Sequence, residues 1–156
     1  MKKFIGVRLV DGEPMTRGDY NKYKGWTIPA DENPEDPGYL VKYEDDYISW
    51  CPKVNFDKHN LPIVGEKNTI TQADVDNFIG SATANTLKVS GVEKSTILTV
   101  VLKNGFVMHE TSSCVDPNNY DEQVGADVCM EKIKDRIWFL LGFLLQSGVD
   151  GFKAVK

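Results

Sequence analysis

The sequence predicts an α+β fold: antiparallel β-hairpins packed with a long C-terminal helix and a shorter helix, preceded by a small β-rich module. Three observations predict it. The run Thr96-Ile97-Leu98-Thr99-Val100-Val101-Leu102 is followed by Asn104-Gly105 and a second run, Phe106 to Thr111. This is a hairpin signal, because both turn residues tolerate the positive φ of a tight primed turn. After the polar link Ser112-Ser113-Cys114, Asp116 is a natural N-cap and Pro117 suits the first helical position, so a helix can run to Gln146-Ser147 and stop at Gly148. Ahead of this unit, short apolar runs alternate with Pro- and Gly-bearing loops.

Taken in order, Lys3 to Val10 reads as a strand. Thr16 can cap a turn of helix over 17–23 that ends at Gly25. Ile28 to Gly38 carries three prolines among acids and reads as loop. Residues 39–43 and 47–50 form a hairpin across Glu44-Asp45-Asp46, with Tyr39, Val41 and Tyr43 on one face. His59 to Lys67 is a polar joint, which suggests a β-rich module over 1–64 and an α+β domain over 65–156. Thr71 with Asp74 resembles a capping box, opening a helix whose buried face would be Val75, Phe78, Ile79 and Ala82, with Asn85 near its end. Thr86 to Ser95 is polar link or a short strand.

From Pro117 to Ser147 a straight helix would extend about 46 Å. Its second half, 137–145, is apolar on every side. A helix hydrophobic all round needs cover all round, and a second copy of the chain is the expected cover. Leu141 lies within this band, so Leu141→Asp is expected to split the assembly.

With 156 residues, 41% of them hydrophobic, the chain can build a core. Its net charge of −5 argues against a nucleic-acid partner, though not against a small anion held by one or two local cations. Cys51, Cys114 and Cys129 include no close pair and read as reduced thiols. No run is long enough for a membrane span, and the start leads into a strand, so a soluble intracellular protein is expected. His59 and His109 are the two histidines, and the sequence holds neither a metal-ligand spacing nor a Gly-rich phosphate loop. An enzyme, a metal and a cofactor are therefore not expected.

The polar helix entry is more informative. Asn118 and Asn119 can serve as ordinary helix-start residues or offer amides to an anion or polar ring. Phe106 and His109 supply flat faces. Lys132, Lys134 and Arg136 form a dense basic cluster, which reads either as a solvated helix face or as an anion contact. Arg136 would lie roughly 28 Å beyond the cap, out of reach of its own entry loop unless the helix breaks at Gly125. Antiparallel pairing of two copies would bring one chain's loop beside the other's Arg136, making a composite site.

Ile70 through Phe78, Leu102-Lys103-Asn104-Gly105-Phe106, the run Glu110 through Asp121, and Lys134-Asp135-Arg136-Ile137-Trp138 through Leu145 resemble a family of small tailed-phage proteins first catalogued from the early regions of phages N4 and Sf6. The likeness covers about residues 68 to 147. Residues 1–60, with Pro14-Met15-Thr16, Gly25-Trp26, Gly38-Tyr39-Leu40-Val41 and Ser49-Trp50, resemble a separate recurrent phage module. The first resemblance implies a phage anti-defence protein of the host bacterial cytoplasm, a sponge for cyclic ADP-ribose-type signals of the Thoeris TIR-domain enzyme. It would bind them without cleavage, and cyclic oligonucleotides of a second defence system are a further implied ligand. It also implies a homo-oligomer, a dimer or a dimer-based assembly such as a hexamer. The ligand contacts implied or read from the residues are Phe106, His109, Asn118, Asn119, Lys132 and Arg136, with stacking given to Phe106 or His109 and nucleotide contact to Asn119 and Arg136. The alternative is an acidic phage protein that inhibits a host protein by direct surface contact.

Overall fold

The computed structural model describes residues 1–66 and 68–152. Lys67, at the end of the expected joint, and residues 153–156 lie outside the described residues. The α+β class holds: among the described residues two three-stranded antiparallel sheets are accompanied by four α-helices, the last of them long. The described residues form two compact units, 1–62 together with 147–152, and a second over residues 63–146.

In the first unit, β1 (Asp11–Pro14), β2 (Gly38–Lys42) and β3 (Ile48–Pro52) form a sheet in that order. The strand expected over 3–10 is not formed. Leu9 gives its N–H to the Gly148 carbonyl at 3.1 Å, and pairing with β2 begins only at Asp11. Between β1 and β2, α1 (Arg17–Lys24) starts and stops as the sequence predicts. The Thr16 side chain accepts from Asp19 N, and Gly25 takes the left-handed conformation that closes a helix. The proline-rich loop is tied to α1 by Arg17, which donates to both oxygens of Glu32 at 2.8 and 2.6 Å, while buried Asn21 adds 2.9 Å. A further helix, α2 (Lys53–His59), follows Pro52 directly, and Phe56 stacks on Tyr39 with ring centres 4.1 Å apart.

The second unit opens with α3 (Gln72–Phe78), where both halves of the capping box are made: Thr71 Oγ1 accepts from Asp74 N, and Asp74 accepts from Thr71 N at 2.7 Å. The helix does not continue through Ala82 to Asn85 as expected. From Ile79 the chain is the eleven-residue strand β4 (Ile79–Val89), paired along its length with β5 (Val92–Leu102). The spacing of Val75, Phe78, Ile79 and Ala82 imitated a helical face. Gly80 and the β-branched Thr83 and Thr86 disfavour a helix there, and ladder bonds to β5 decide the matter.

The primed turn also lies elsewhere. Ser90 (φ 52°) and Gly91 (φ 82°) both take positive φ in the two-residue β4–β5 connection. At the next hairpin, to β6 (Val107–Ser113), only Gly105 does so (φ 83°), with Gly105 N–H bonded to the Leu102 carbonyl. Leu102 N–H donates to the Phe106 carbonyl at 2.8 Å, so residues 103–105 are a three-residue loop, a turn closed by a left-handed glycine, instead of a primed turn at Asn104-Gly105.

Asp116 and Pro117 nucleate one turn of 3₁₀ helix over Pro117–Asn119, after which Tyr120 is extended. The long helix is α4 (Glu122–Asp150), capped by Asp121 Oδ1, which accepts from Gln123 N at 2.8 Å and Val124 N at 3.1 Å. Tyr120 causes the interruption. Its hydroxyl is held by Thr86 and Thr96 at 2.9 Å each and donates to the Ser95 carbonyl at 3.2 Å, which pulls the chain onto the sheet before the helix can start. At the other end α4 passes Gly148, the expected stop, and reaches left-handed Gly151.

Helix α4 does not break at Gly125. A Cβ there would lie 2.3 Å from Thr96 Oγ1, so glycine lets α4 touch the sheet. The face it covers carries Thr96, Leu98, Val100 and Met108, all buried, opposite the helix's own Cys129, Ile133, Ile137 and Leu141. Leu141, expected at an interface between copies, is 2% exposed within one chain and belongs to its own core. On another side of α4 Phe139 is 75% exposed, and Val128, on that same side, is exposed as well.

Candidate functional site

The residues singled out by sequence fall into separate places on the second unit. Phe106 sits at the β5–β6 turn and is exposed. Asn118 and Asn119 are exposed in the 3₁₀ turn at the far end of β6, about 20 Å away along a seven-residue strand. Asn118 is committed to the turn itself, since its backbone N and Nδ2 donate to Asp116 Oδ1 at 2.9 and 3.1 Å. Cys114, beside it, donates through Sγ to the Asp116 carbonyl at 3.2 Å, a turn-closing contact.

His109 pairs with Thr99 across β5–β6, and its Nδ1 lies 3.0 Å from Thr99 Oγ1. Strand alternation puts this pair on the sheet face away from Leu98, Val100 and α4. Arg136 approaches from the helix side. Its Nη2 donates to the His109 carbonyl at 3.0 Å and to Glu110 Oε2 at 2.5 Å. Lys132, one turn earlier on α4, places Nζ 3.8 Å from Glu110 Oε1. Lys134 points elsewhere, to Asp76 of α3 at 2.8 Å, and the ammonium there holds the Asp76 carboxyl below its usual range. The basic cluster of the sequence is thus two groups, of which Lys132 and Arg136 share one carboxylate.

Arg136 is fourteen residues beyond Glu122, about 21 Å along an unbroken helix, so one chain does not join it to Asn119. Nor does one chain bring the His109 ring to the Arg136 guanidinium, because the sheet lies between them.

Sequence reasoning missed Glu110 as the partner of both cations and Tyr120 as the anchor of the asparagine turn. Alternation in β6 carries the signal for Glu110: it shares a face with buried Met108, so its carboxylate stands on the helix side. Tyr120 gave no signal, since its partners are 24 and 34 residues away. Among the described residues no group of three His, Cys, Asp or Glu side chains could hold a metal ion. Burial, then nearby Glu110, push the Cys129 thiol up, which keeps it protonated and inert. No helix among the described residues is long and apolar enough to cross a membrane.

The family model described as phage protein (N4 Gp49/phage Sf6 gene 66) matches residues 70–149, just over half of the chain. The chain belongs to this family. The match spans α3, both hairpins, the 3₁₀ turn and α4 almost to its end, so every singled-out residue of the N4 Gp49/Sf6 gene 66 domain lies inside it. Neither a curated protein nor a solved structure matches the chain.

Proposed function

We propose that this phage protein captures cyclic ADP-ribose-type signalling nucleotides and holds them uncleaved, so that the Thoeris effector is never activated; cyclic oligonucleotides of a second defence system are a second ligand class. The observation that carries the reading is the family match over 70–149, which contains the asparagine turn, the flat side chains and the cation pair together. The chemistry required is modest: a ring to stack against, an amide for the base or ribose, and cations for the pyrophosphate. Phe106, Asn119 and the Lys132–Arg136 pair offer these groups, and all four are exposed to a ligand. Because a single chain separates them, the site is completed by a second copy, with one chain's turn facing the other's Arg136. The exposed Phe139 and Val128, which share one side of α4, are the surface on which that copy would pack.

The test is retention. Purified protein incubated with cyclic ADP-ribose isomers should show a large upward thermal shift, since ligand at about 1,000 times its Kd adds about 4 kcal/mol of stability. Denaturation should then release the nucleotide with unchanged mass. A nucleotide of altered mass would mean a hydrolase. No shift and no cargo would overturn sequestration in favour of an acidic protein that blocks a host partner by contact.

A further inference from the structure

Glu110 stands between the two cations of the candidate site. It comes from β6 on the face turned to α4, and is 24% exposed where Arg136 and Lys132 are 48% and 52% exposed. Its two oxygens are shared unequally: Oε2 is 2.5 Å from Arg136 Nη2, whereas Oε1 is 3.8 Å from Lys132 Nζ. Arg136 also donates to the His109 carbonyl, which fixes the guanidinium over the strand. Two positive charges one helical turn apart are therefore held by one carboxylate that satisfies only one of them closely.

We propose that Glu110 is a built-in counter-ion: it occupies the anion position of the Lys132–Arg136 pair in the free protein and yields it to a ligand bearing two adjacent charged phosphoryl groups. A carboxylate and a phosphate seek the same guanidinium edge, so the two compete. A diphosphate outbids a single carboxylate because it meets both cations at short distance, and Lys132 gains the close partner that Glu110 does not give it. A monophosphate or carboxylate ligand has no such advantage. Glu110 thereby keeps the cations ordered and discriminates among anions, a positioning role that touches the ligand only by giving way to it. The identity of the natural ligand rests on the sequestration reading; the competition itself does not.

The experiment compares the full chain with Glu110→Gln by calorimetric titration with inorganic pyrophosphate, inorganic phosphate and cyclic ADP-ribose isomers at low salt, with circular dichroism as the check on folding. Glu110→Gln keeps the side chain's shape and removes its charge. Pyrophosphate should bind the variant about threefold more tightly, the fold-change worth of a half-exposed ion pair no longer being broken. Phosphate should gain at least as much, because the carboxylate that excludes it is gone, and Arg136→Ala added to Glu110→Gln should erase both gains. Glu110→Asp, which keeps the charge, should behave as the unaltered chain. Equal or weaker pyrophosphate binding by Glu110→Gln, or no binding to either protein, overturns the counter-ion. If the gain appears but no cyclic ADP-ribose isomer is retained, the counter-ion stands and the sequestration reading falls. If the isomers are retained equally by both proteins and pyrophosphate shows no gain, the opposite holds.

Discussion

At the scale of single residues, charge sets what each side chain can do. Arg136 makes exposed contacts to Glu110 and the His109 carbonyl, and little of it is packed. Arg136→Ala should therefore leave the fold and the assembly intact while weakening retention of a cyclic ADP-ribose isomer about 10- to 100-fold, the worth of a lost charge-assisted hydrogen bond. Titration calorimetry beside an unchanged native mass would check it. In the first unit, Arg17 and then Asn21 hold the Glu32 carboxyl down from the ordinary 4.5 to about 2. A lowered folded pKa stabilises the fold above the ordinary value and loses that contribution as pH falls toward the folded one. Acid titration followed by tryptophan fluorescence should thus show the unaltered chain more stable than Glu32→Gln at neutral pH, with the difference vanishing between about pH 4.5 and about 2. A constant difference across that range would contradict the assignment.

At the scale of elements, two contacts decide where helices begin and how closely they pack. Gly125 lets α4 lie on Thr96, whose hydroxyl is fixed by Tyr120 and the Glu122 carbonyl. Gly125→Ala should gain about 1 kcal/mol of helix propensity and lose more to overpacking, for a net loss of about 1–2 kcal/mol in a denaturant titration. A stabilised variant would show that the helix can move off the sheet. Asp74 in the capping box is buried, which by itself raises its pKa, but hydrogen bonds from Val64 N, Thr71 and Gly65 outweigh that and lower it. Asp74→Ala should cost about 1–2 kcal/mol by the same measurement.

These elements also show what a sequence discloses. Caps were legible because Thr16, Gly25, Thr71 and Asp74 act within three or four residues of themselves. The β5–β6 hairpin was legible from its apolar runs, although its turn type was not. What stayed hidden depends on distant partners. The strand over 79–89 was masked by a helical spacing that β5 overrides, and the break between the 3₁₀ turn and α4 arises from Tyr120 reaching residues far back in the chain. Likewise Arg136 and Lys132 could be named from sequence, but their shared carboxylate required the register of β6 against β5.

At the scale of the whole molecule, the proposed site depends on a second copy. Burial corrects the choice of probe: Leu141→Asp would place a charge in the chain's own core and unfold it, whereas Phe139, 75% exposed, is available to a neighbour. Phe139→Asp should leave the circular dichroism spectrum unchanged and lower the mass in solution. Unchanged mass by light scattering would refute packing through this surface. The composite site then predicts that Phe139→Asp loses nucleotide although no nucleotide-binding residue has been altered.

Native mass spectrometry of the purified chain after incubation with the products of a TIR-domain enzyme tests sequestration and assembly at once. The expected result is an oligomer of even chain number carrying intact cyclic ADP-ribose-type cargo. A bare monomer, or an oligomer that emerges empty from the same incubation, would contradict it.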